Sequence, residues 1–315
     1  MKSTDVLTFG EVMGVFITAE NPKIEKEKKY LFASAGAEAN VAVTVTQLGL
    51  KSKFVSKVGN DEIGKAVLNQ LNNYGVDTTS IKLANLPTGL MIRNYDQINE
   101  VESVYYRKNS AGSSLSESDI CEPDIVDSRW LHVTGVTMAI SDSAYKTVLK
   151  ATKIAFECGI PVSLDLNIRK KLWNKTEASE KIMTVLPYIN YLFGGVNEYQ
   201  TIWNKKSPLE NILKARLSGI NTCIMTNGSK PLLISTDLEN FEYEPKIVKT
   251  KDSVGSGDAF VGGTISGILA GLSLKEALRQ GSICGGIIAA NIGDWSKKIS
   301  GNLGVLNSEL GLAND

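Results

Sequence analysis

Hydrophobic and polar positions change their period twice along the chain. In the first third they alternate or run short. Residues 6–10 form an apolar strand ending at glycine, residues 12–18 are β-rich, and residues 54–59 form another strand. Residues 88–95 and 101–108 alternate around the polar tip 96–100, which reads as a β-hairpin, and the charged stretch 23–29 reads as a second tip. Between these strands Val41, Ala42, Val45, Thr46 and Leu48 mark a helix that stops at Gly49.

From Arg129 onward strands and helices alternate. Strands are expected at 131–134, 162–166, 191–194, 224–226 and 232–235, and helices at 145–158, 178–186 and 209–217, with a last helix over 277–291. This βαβ periodicity makes a mostly parallel sheet flanked by helices, whose ligands bind at the carboxyl ends of the strands. The fold class is therefore α/β, and the early strands add a small separate sheet.

One stretch stands apart: Asp252-Ser253-Val254-Gly255-Ser256-Gly257-Asp258-Ala259-Phe260. A β-like run over 246–250 leads into it, and Phe260, Val261, Ile265, Ile268, Leu269 and Leu272 leave it at helical spacing, so a helix starts near residues 256–258. Gly255 and Gly257 let the backbone turn sharply and approach a ligand, and the unpaired amides of the first helical turn then make an anion site. Asp258 in that turn would repel a phosphate unless it has a task of its own; a helix-start acid favoured by the dipole is the plainer reading. Gly262, Gly263, Gly267 and Gly271 fall inside the expected helix, each costing up to roughly 1 kcal/mol against alanine, so they require close packing or ligand approach in return.

The bulk composition narrows the partners. The chain has 315 residues, 43% hydrophobic and 22% charged, with 34 basic and 34 acidic side chains, so it offers no field for nucleic acid and any anion binding is local. Cys121, Cys158, Cys223 and Cys284 lie far apart and His132 is the only histidine, which argues against a disulfide framework or a His/Cys metal site and for reduced thiols in a cytoplasm. No leader and no run of ~20 apolar residues is seen, so neither export nor a membrane span is expected.

Gly59-Asn60-Asp61-Glu62-Ile63-Gly64-Lys65-Ala66 almost spells a phosphate-binding P-loop in its strand-to-helix setting. Ala66 has no hydroxyl for a metal, however, and Asp61 with Glu62 would set two carboxylates where phosphate must lie.

The stretch at Asp252–Phe260 resembles the C-terminal signature of the PfkB-type, ribokinase-like sugar kinases, Asp-Thr-x-Gly-Ala-Gly-Asp-x-Phe, with Ser253 and Ser256 as the differences. The resemblance implies that Gly255, Ser256 and Gly257 form the anion hole for the transferred phosphoryl group and that Asp258 is the base for the sugar hydroxyl. Other motifs follow in the family's order. Ala35-Gly36-Ala37-Glu38-Ala39-Asn40 resembles the Gly-Gly-x-x-x-Asn sugar turn, with Ala35 in place of the first glycine. It implies Gly36 and Asn40 on the sugar side; an N-capped helix is the structural alternative. The Val-Gly-x-Asp-x-x-Gly run at Val58–Gly64 fits the N-terminal signature.

Asp165-Leu166-Asn167-Ile168-Arg169 resembles Asp-x-Asn-x-Arg, near phosphates and substrate, and strand alternation would set Asp165, Asn167 and Arg169 on one face. Asn197-Glu198-Tyr199-Gln200 resembles Asn-x-x-Glu, which organises Mg²⁺ through water, with Gln200 in place of the final Glu. Thr226-Asn227-Gly228 resembles the turn that meets the nucleotide, with Pro231 where many relatives have glycine; a plain hairpin is the alternative. Ser282 completes the implied ATP side.

Asp294, after Gly293, resembles the carboxylate that sugar-acid kinases set against a substrate hydroxyl, a helix cap being the alternative. Tyr105-Tyr106-Arg107-Lys108 and Leu164 to Arg169 look most like 2-keto-3-deoxygluconate kinases, although Met91 departs from the tyrosine common there. Alternation sets Tyr105 and Arg107 on one strand face, and Arg107 with Arg169 can offer forked donors to a carboxylate. Val136 joins this implied sugar side.

The resemblance thus implies one ribokinase-like domain over residues 1–315 with a β lid formed by about 12–34 and 88–110. It implies a cytoplasmic enzyme that transfers phosphate in line from ATP with Mg²⁺, with no direct protein ligand to the metal. The substrate is a small sugar or sugar acid, and nucleic acid and membrane are not partners. A homodimer or higher homo-oligomer through the lid is expected, and a monovalent-cation requirement stays open. A fructokinase or ribokinase is the alternative enzyme. A non-catalytic sugar or nucleotide sensor is the alternative from another class, against which the intact Asp258 stands.

Overall fold

The computed structural model describes residues 2–18, 29–94, 102–245 and 248–299. In chain order these contain β1 (Thr4–Phe9), β2 (Met13–Thr18), β3 (Tyr30–Ala35), α1 (Ala37–Gln47), β4 (Ser52–Gly59), α2 (Glu62–Asn73), β5 (Ile81–Ala84), β6 (Gly89–Asn94) and β7 (Glu102–Tyr106). There follow α3 (Glu122–Val126), β8 (Ser128–Thr134), α4 (Gly135–Ile140), α5 (Asp142–Glu157), β9 (Val162–Asp165), α6 (Lys175–Val185), β10 (Tyr191–Gly195), α7 (Val196–Trp203) and α8 (Pro208–Arg216). The chain closes with β11 (Thr222–Asn227), β12 (Lys230–Thr236), β13 (Asn240–Tyr243), α9 (Ser256–Leu269) and α10 (Leu274–Ala289). The expected tip at 96–100, and all but the last residue of the tip expected at 23–29, lie outside the described residues.

The chain divides into two compact units, residues 1–9 with 116–247 and residues 10–115 with 248–315. In the first, strands run in the order β13-β12-β11-β10-β9-β8-β1. The stretch from β1 to β11 is parallel, and β12 and β13 extend it antiparallel. Leu7, Leu131, Val133, Leu164, Leu192 and Ile224 are fully buried, as parallel strands covered on both faces require. His132 lies wholly inside, its Nδ1 2.8 Å from the Ser163 hydroxyl, and burial pushes its pKa down to about 3, so it is neutral.

In the second unit β3-β2-β6-β7 form the expected small sheet. The β2–β6 pair is parallel and the two outer pairs are antiparallel. β4 pairs in parallel with β5. The near P-loop at residues 59–66 is a capped helix start. The Asp61 carboxylate accepts from Gly64 N at 2.7 Å and from Thr88 N and Oγ1 at 2.8 Å each. Burial opposes its ionisation, but these donors hold it below the usual carboxylate range.

The glycines of α9 are explained by packing against α1 and α10. A Cβ on Gly262 would lie 2.9 Å from Thr44 Cβ, and one on Gly263 or Gly267 would lie 2.8 Å from the Cα of Gly281 or Ala277. Gly271 is different: it follows the helix, at φ +83°, and ends it. The β-like run expected at 246–250 is not a strand over its described residues 248–250. The chain is tied there instead by Lys251 N donating to the Ala289 carbonyl at 2.7 Å, at the end of α10.

Candidate active site

In the second unit four sequence-predicted residues come together at the start of α9. Gly255 is the N-cap at φ +80°, a left-handed backbone that glycine adopts without strain. Asp258 sits in the first turn, buried, and accepts a hydrogen bond from Asn40 Nδ2 at 2.7 Å. The same amide reaches Asp294 Oδ2 at 3.2 Å, while Trp295 Nε1 donates to Asn40 Oδ1 at 2.6 Å. The indole therefore fixes which end of Asn40 faces the two carboxylates. Asn40 is on α1 rather than at its cap; the N-cap is Gly36, close against the backbone of Glu11 and Val12.

Gly257 is exposed, and a Cβ built on it meets no atom within 4 Å. Neither a left-handed φ nor packing calls for glycine there, so the free space in front of the turn is what a side chain would fill. Ser256 closes the turn from below, its hydroxyl donating to Ser253 O at 2.7 Å and its amide to the same carbonyl at 3.3 Å.

Arg107 follows β7, yet it still meets Tyr105: its guanidinium lies 5.7 Å from the ring centroid. Its Nη2 pairs with Glu11, whose carboxylate also accepts a hydrogen bond from the Ser110 hydroxyl. Its Nε is buried and has no hydrogen-bond partner among the described residues. Met91 is buried in β6 directly opposite Tyr105. Ser282 is half-buried on α10.

Two participants in the second unit were missed by sequence reasoning. Glu11 carries the ion pair that orients Arg107. Arg93, wholly buried on β6, pairs with Asp252 Oδ2 at 3.1 Å and Asp294 Oδ1 at 2.7 Å. Burial raises the Asp294 pKa, against the pull of Arg93. Nothing in a lone arginine within a strand announces burial; the acidic residues at 252 and 294 were visible, but not that one cation joins them.

In the first unit the remaining expected residues gather at the carboxyl ends of neighbouring parallel strands. Val136 opens α4 after β8, Asn167 and Arg169 follow β9, Asn197 opens α7 after β10, and Thr226 is near the end of β11, in register with Gly195. The one-face expectation for Asp165, Asn167 and Arg169 does not hold. The strand stops at Asp165 and Asn167 turns to φ +36°, with its Nδ2 3.3 Å from Asp165 Oδ2. Thr226 and Asn227 are the last residues of β11, and Gly228, at φ +62°, begins the turn into β12.

Glu198, also unforeseen, accepts from Gly195 N at 2.6 Å and Ile168 N at 2.7 Å and so ties the loop after β9 to α7. Burial raises its pKa despite those two amides. Gln200 accepts from Asn211 Nδ2 at 2.8 Å, a contact between α7 and α8. No cluster of three or more His, Cys, Asp or Glu suited to a metal occurs among the described residues. Nor is any helix there long and apolar enough to cross a membrane.

A buried acid thus follows a glycine turn at the start of α9, and the comparisons with known proteins concern the chain as a whole. The chain is 31% identical over 295 residues to a 2-dehydro-3-deoxygluconokinase of Bacillus subtilis (strain 168), covering 92% of this chain and 91% of that protein. It is 27% identical over 299 residues to the probable fructokinase-5 of Arabidopsis thaliana, covering 91% and 92%. The crystal structure of a PfkB protein from Polaromonas sp. JS666 superposes with a TM-score of 0.87 at 26% identity, covering 99% of this chain and all of that one. Since residues 3–298 match the pfkB family carbohydrate kinase as a whole, this chain belongs to that family and is a sugar kinase.

Proposed function

We propose that the enzyme phosphorylates a keto-deoxy sugar acid, 2-keto-3-deoxygluconate, at its 6-hydroxyl with ATP. Asp258 takes the hydroxyl proton as the sugar oxygen bonds to the γ-phosphorus and the bond to the leaving ADP oxygen breaks. The amides of Gly255 and Gly257, with that of Ser256 once it leaves its 3.3 Å bond to the Ser253 carbonyl, and the α9 dipole stabilise the charge on the phosphoryl oxygens. The arrangement of Asn40 on Asp258, with open space before Gly257, supports this reading.

ATP is assigned to Asn167, Arg169, Asn197, Thr226 and Gly228 in the first unit, and to Ser282 in the second. Asn197 and Gln200 would hold Mg²⁺ through water, and the ion would supply counter-charge to the phosphates of ATP. Of the residues assigned to the sugar, Gly36, Asn40, Met91, Tyr105, Arg107 and Asp294 belong to the second unit, and Val136 and Arg169 to the first. The small sheet closes over the sugar and excludes water, and its exposed Leu31, Val104 and Tyr106 suit pairing with a second subunit. A cytoplasmic setting fits this chemistry.

The acid rather than a neutral hexose is favoured by one observation: the buried Nε of Arg107 has no hydrogen-bond partner among the described residues, and a substrate carboxylate would supply one. The Bacillus subtilis relative agrees with that choice; the Arabidopsis relative supports fructose as the second reading. A charge-assisted hydrogen bond contributes about 1.5 to 3 kcal/mol, so Arg107→Ala is expected to lower kcat/KM for the acid about tenfold to a hundredfold and to leave fructose turnover nearly unchanged. The assay is run in one buffer with ATP saturating. Equal losses on both sugars would reduce Arg107 to a support for the sheet.

A further inference from the structure

Arg93 takes no part in the chemistry above, yet it is the most buried cation of the second unit's site. It lies at 0% exposure on β6, opposite Ile17 of β2 and Ser103 of β7. Its two terminal nitrogens go to different carboxylates, Nη1 to Asp252 at 3.1 Å and Nη2 to Asp294 at 2.7 Å. Those carboxylates stand on the two segments that frame the α9 turn.

Asp252 precedes the turn and also accepts from Val254 N at 3.0 Å and Gly293 N at 3.4 Å. Asp294 lies directly behind it: a Cβ on Gly255 would sit 3.0 Å from the Cβ of Asp294. Asp294 in turn shares the Asn40 amide with Asp258. One guanidinium therefore stands at the end of a short chain of contacts, through Asp294 and Asn40 to Asp258, and through Asp252 to the backbone entering Gly255. Two buried carboxylates without that cation repel each other, and a planar fork satisfies both in a way that a point charge does not.

We propose that Arg93 is a positioning residue for phosphoryl transfer: its fork spans Asp252 and Asp294, fixing the Gly255–Asp258 turn and the Asn40 amide to the small sheet's strand β6. The sheet that covers the sugar and the turn that receives the phosphoryl group are then set by one side chain. This rests on the reading of Asp258 and its turn given above.

The test uses the full chain and whichever sugar the wild type phosphorylates best. Arg93→Ala is expected to lower kcat about a hundredfold with the sugar KM changed less than threefold. Added methylguanidinium is expected to restore at least tenfold of the loss, and uncharged N-methylurea none. Arg93→Lys keeps the charge but cannot fork, and is expected to lose about tenfold in kcat while melting within a few degrees of the wild type.

A kcat within threefold of the wild type in either variant overturns the proposal, as does rescue by methylurea equal to rescue by methylguanidinium. If Arg93→Ala does not fold, Arg93→Lys decides alone: the tenfold loss in kcat at constant KM supports positioning, and unchanged kcat removes it. Asp258→Asn is measured alongside. Normal turnover there would bring down the reading of the site itself, whereas a dead Asp258→Asn with silent Arg93 variants would bring down only the role of Arg93.

Discussion

Asp258→Asn is expected to lower kcat by roughly 10²-fold or more while ATP and sugar still bind. The substitution is nearly isosteric, and its carbonyl oxygen can still accept from Asn40 Nδ2, which holds the native carboxylate at 2.7 Å. Packing in the first turn of α9 is thus kept and only the capacity to take a proton is lost. Steady-state kcat and KM with ligand-induced shifts in Tm separate the two effects. Near-normal turnover would show Asp258 to be a dipole-compensating acid at a helix start and nothing more.

Gly257→Val is expected to cost about 10²- to 10³-fold in turnover, the magnitude of losing one preorganised donor at a site of developing charge. Its stability should hold, because a Cβ at this position meets nothing within 4 Å and glycine is the poorer helix former. The pairing of a folded protein with lost activity is the signature of a ligand-facing glycine. Gly257→Ala should fall between. If turnover survived in Gly257→Val, the anion-hole assignment would have to be abandoned; if the protein unfolded, the glycine would serve the fold.

How far the sequence was legible follows the range of the interactions concerned. The start of α9 was readable because it is set locally, by glycines followed by apolar residues at helical spacing. The glycines at 262, 263 and 267 announced close helix packing through their cost alone. Gly271 was misassigned to the helix because its φ of +83° is not written in its neighbours.

Alternation failed after Asp165, where Asn167 adopts φ +36° and ends the strand geometry on which the one-face expectation depended. It failed again before Asp252, where Val248 and Thr250 favour strands but the chain is bonded to the end of α10. β5 and β13, of four residues each, were overlooked, since such short runs carry too few positions to show a period.

The site divides in the same way. Asp258, Asn40 and Asp294 were named from motifs, and they do converge. What joins them was hidden, because Arg93 bonds across 159 residues to Asp252 and an arginine in a strand ordinarily marks a solvent-facing or edge position. Glu11 was given no role, since the first strand was expected to end at Gly10. Its ion pair with Arg107 joins the residues before β2 and after β7, 96 positions apart by their numbers, so it was beyond any local pattern.

The most direct measurement is ATP-dependent ADP release by the wild type across a panel of sugars, 2-keto-3-deoxygluconate, fructose and ribose, under one set of conditions with Mg²⁺. The expected result is the highest kcat/KM for the keto-deoxy acid, by tenfold or more over either neutral sugar, in keeping with one charge-assisted contact to its carboxylate. A preference for fructose or ribose would contradict the acid assignment, and failure to phosphorylate any sugar while ATP still binds would leave a sensor in place of an enzyme.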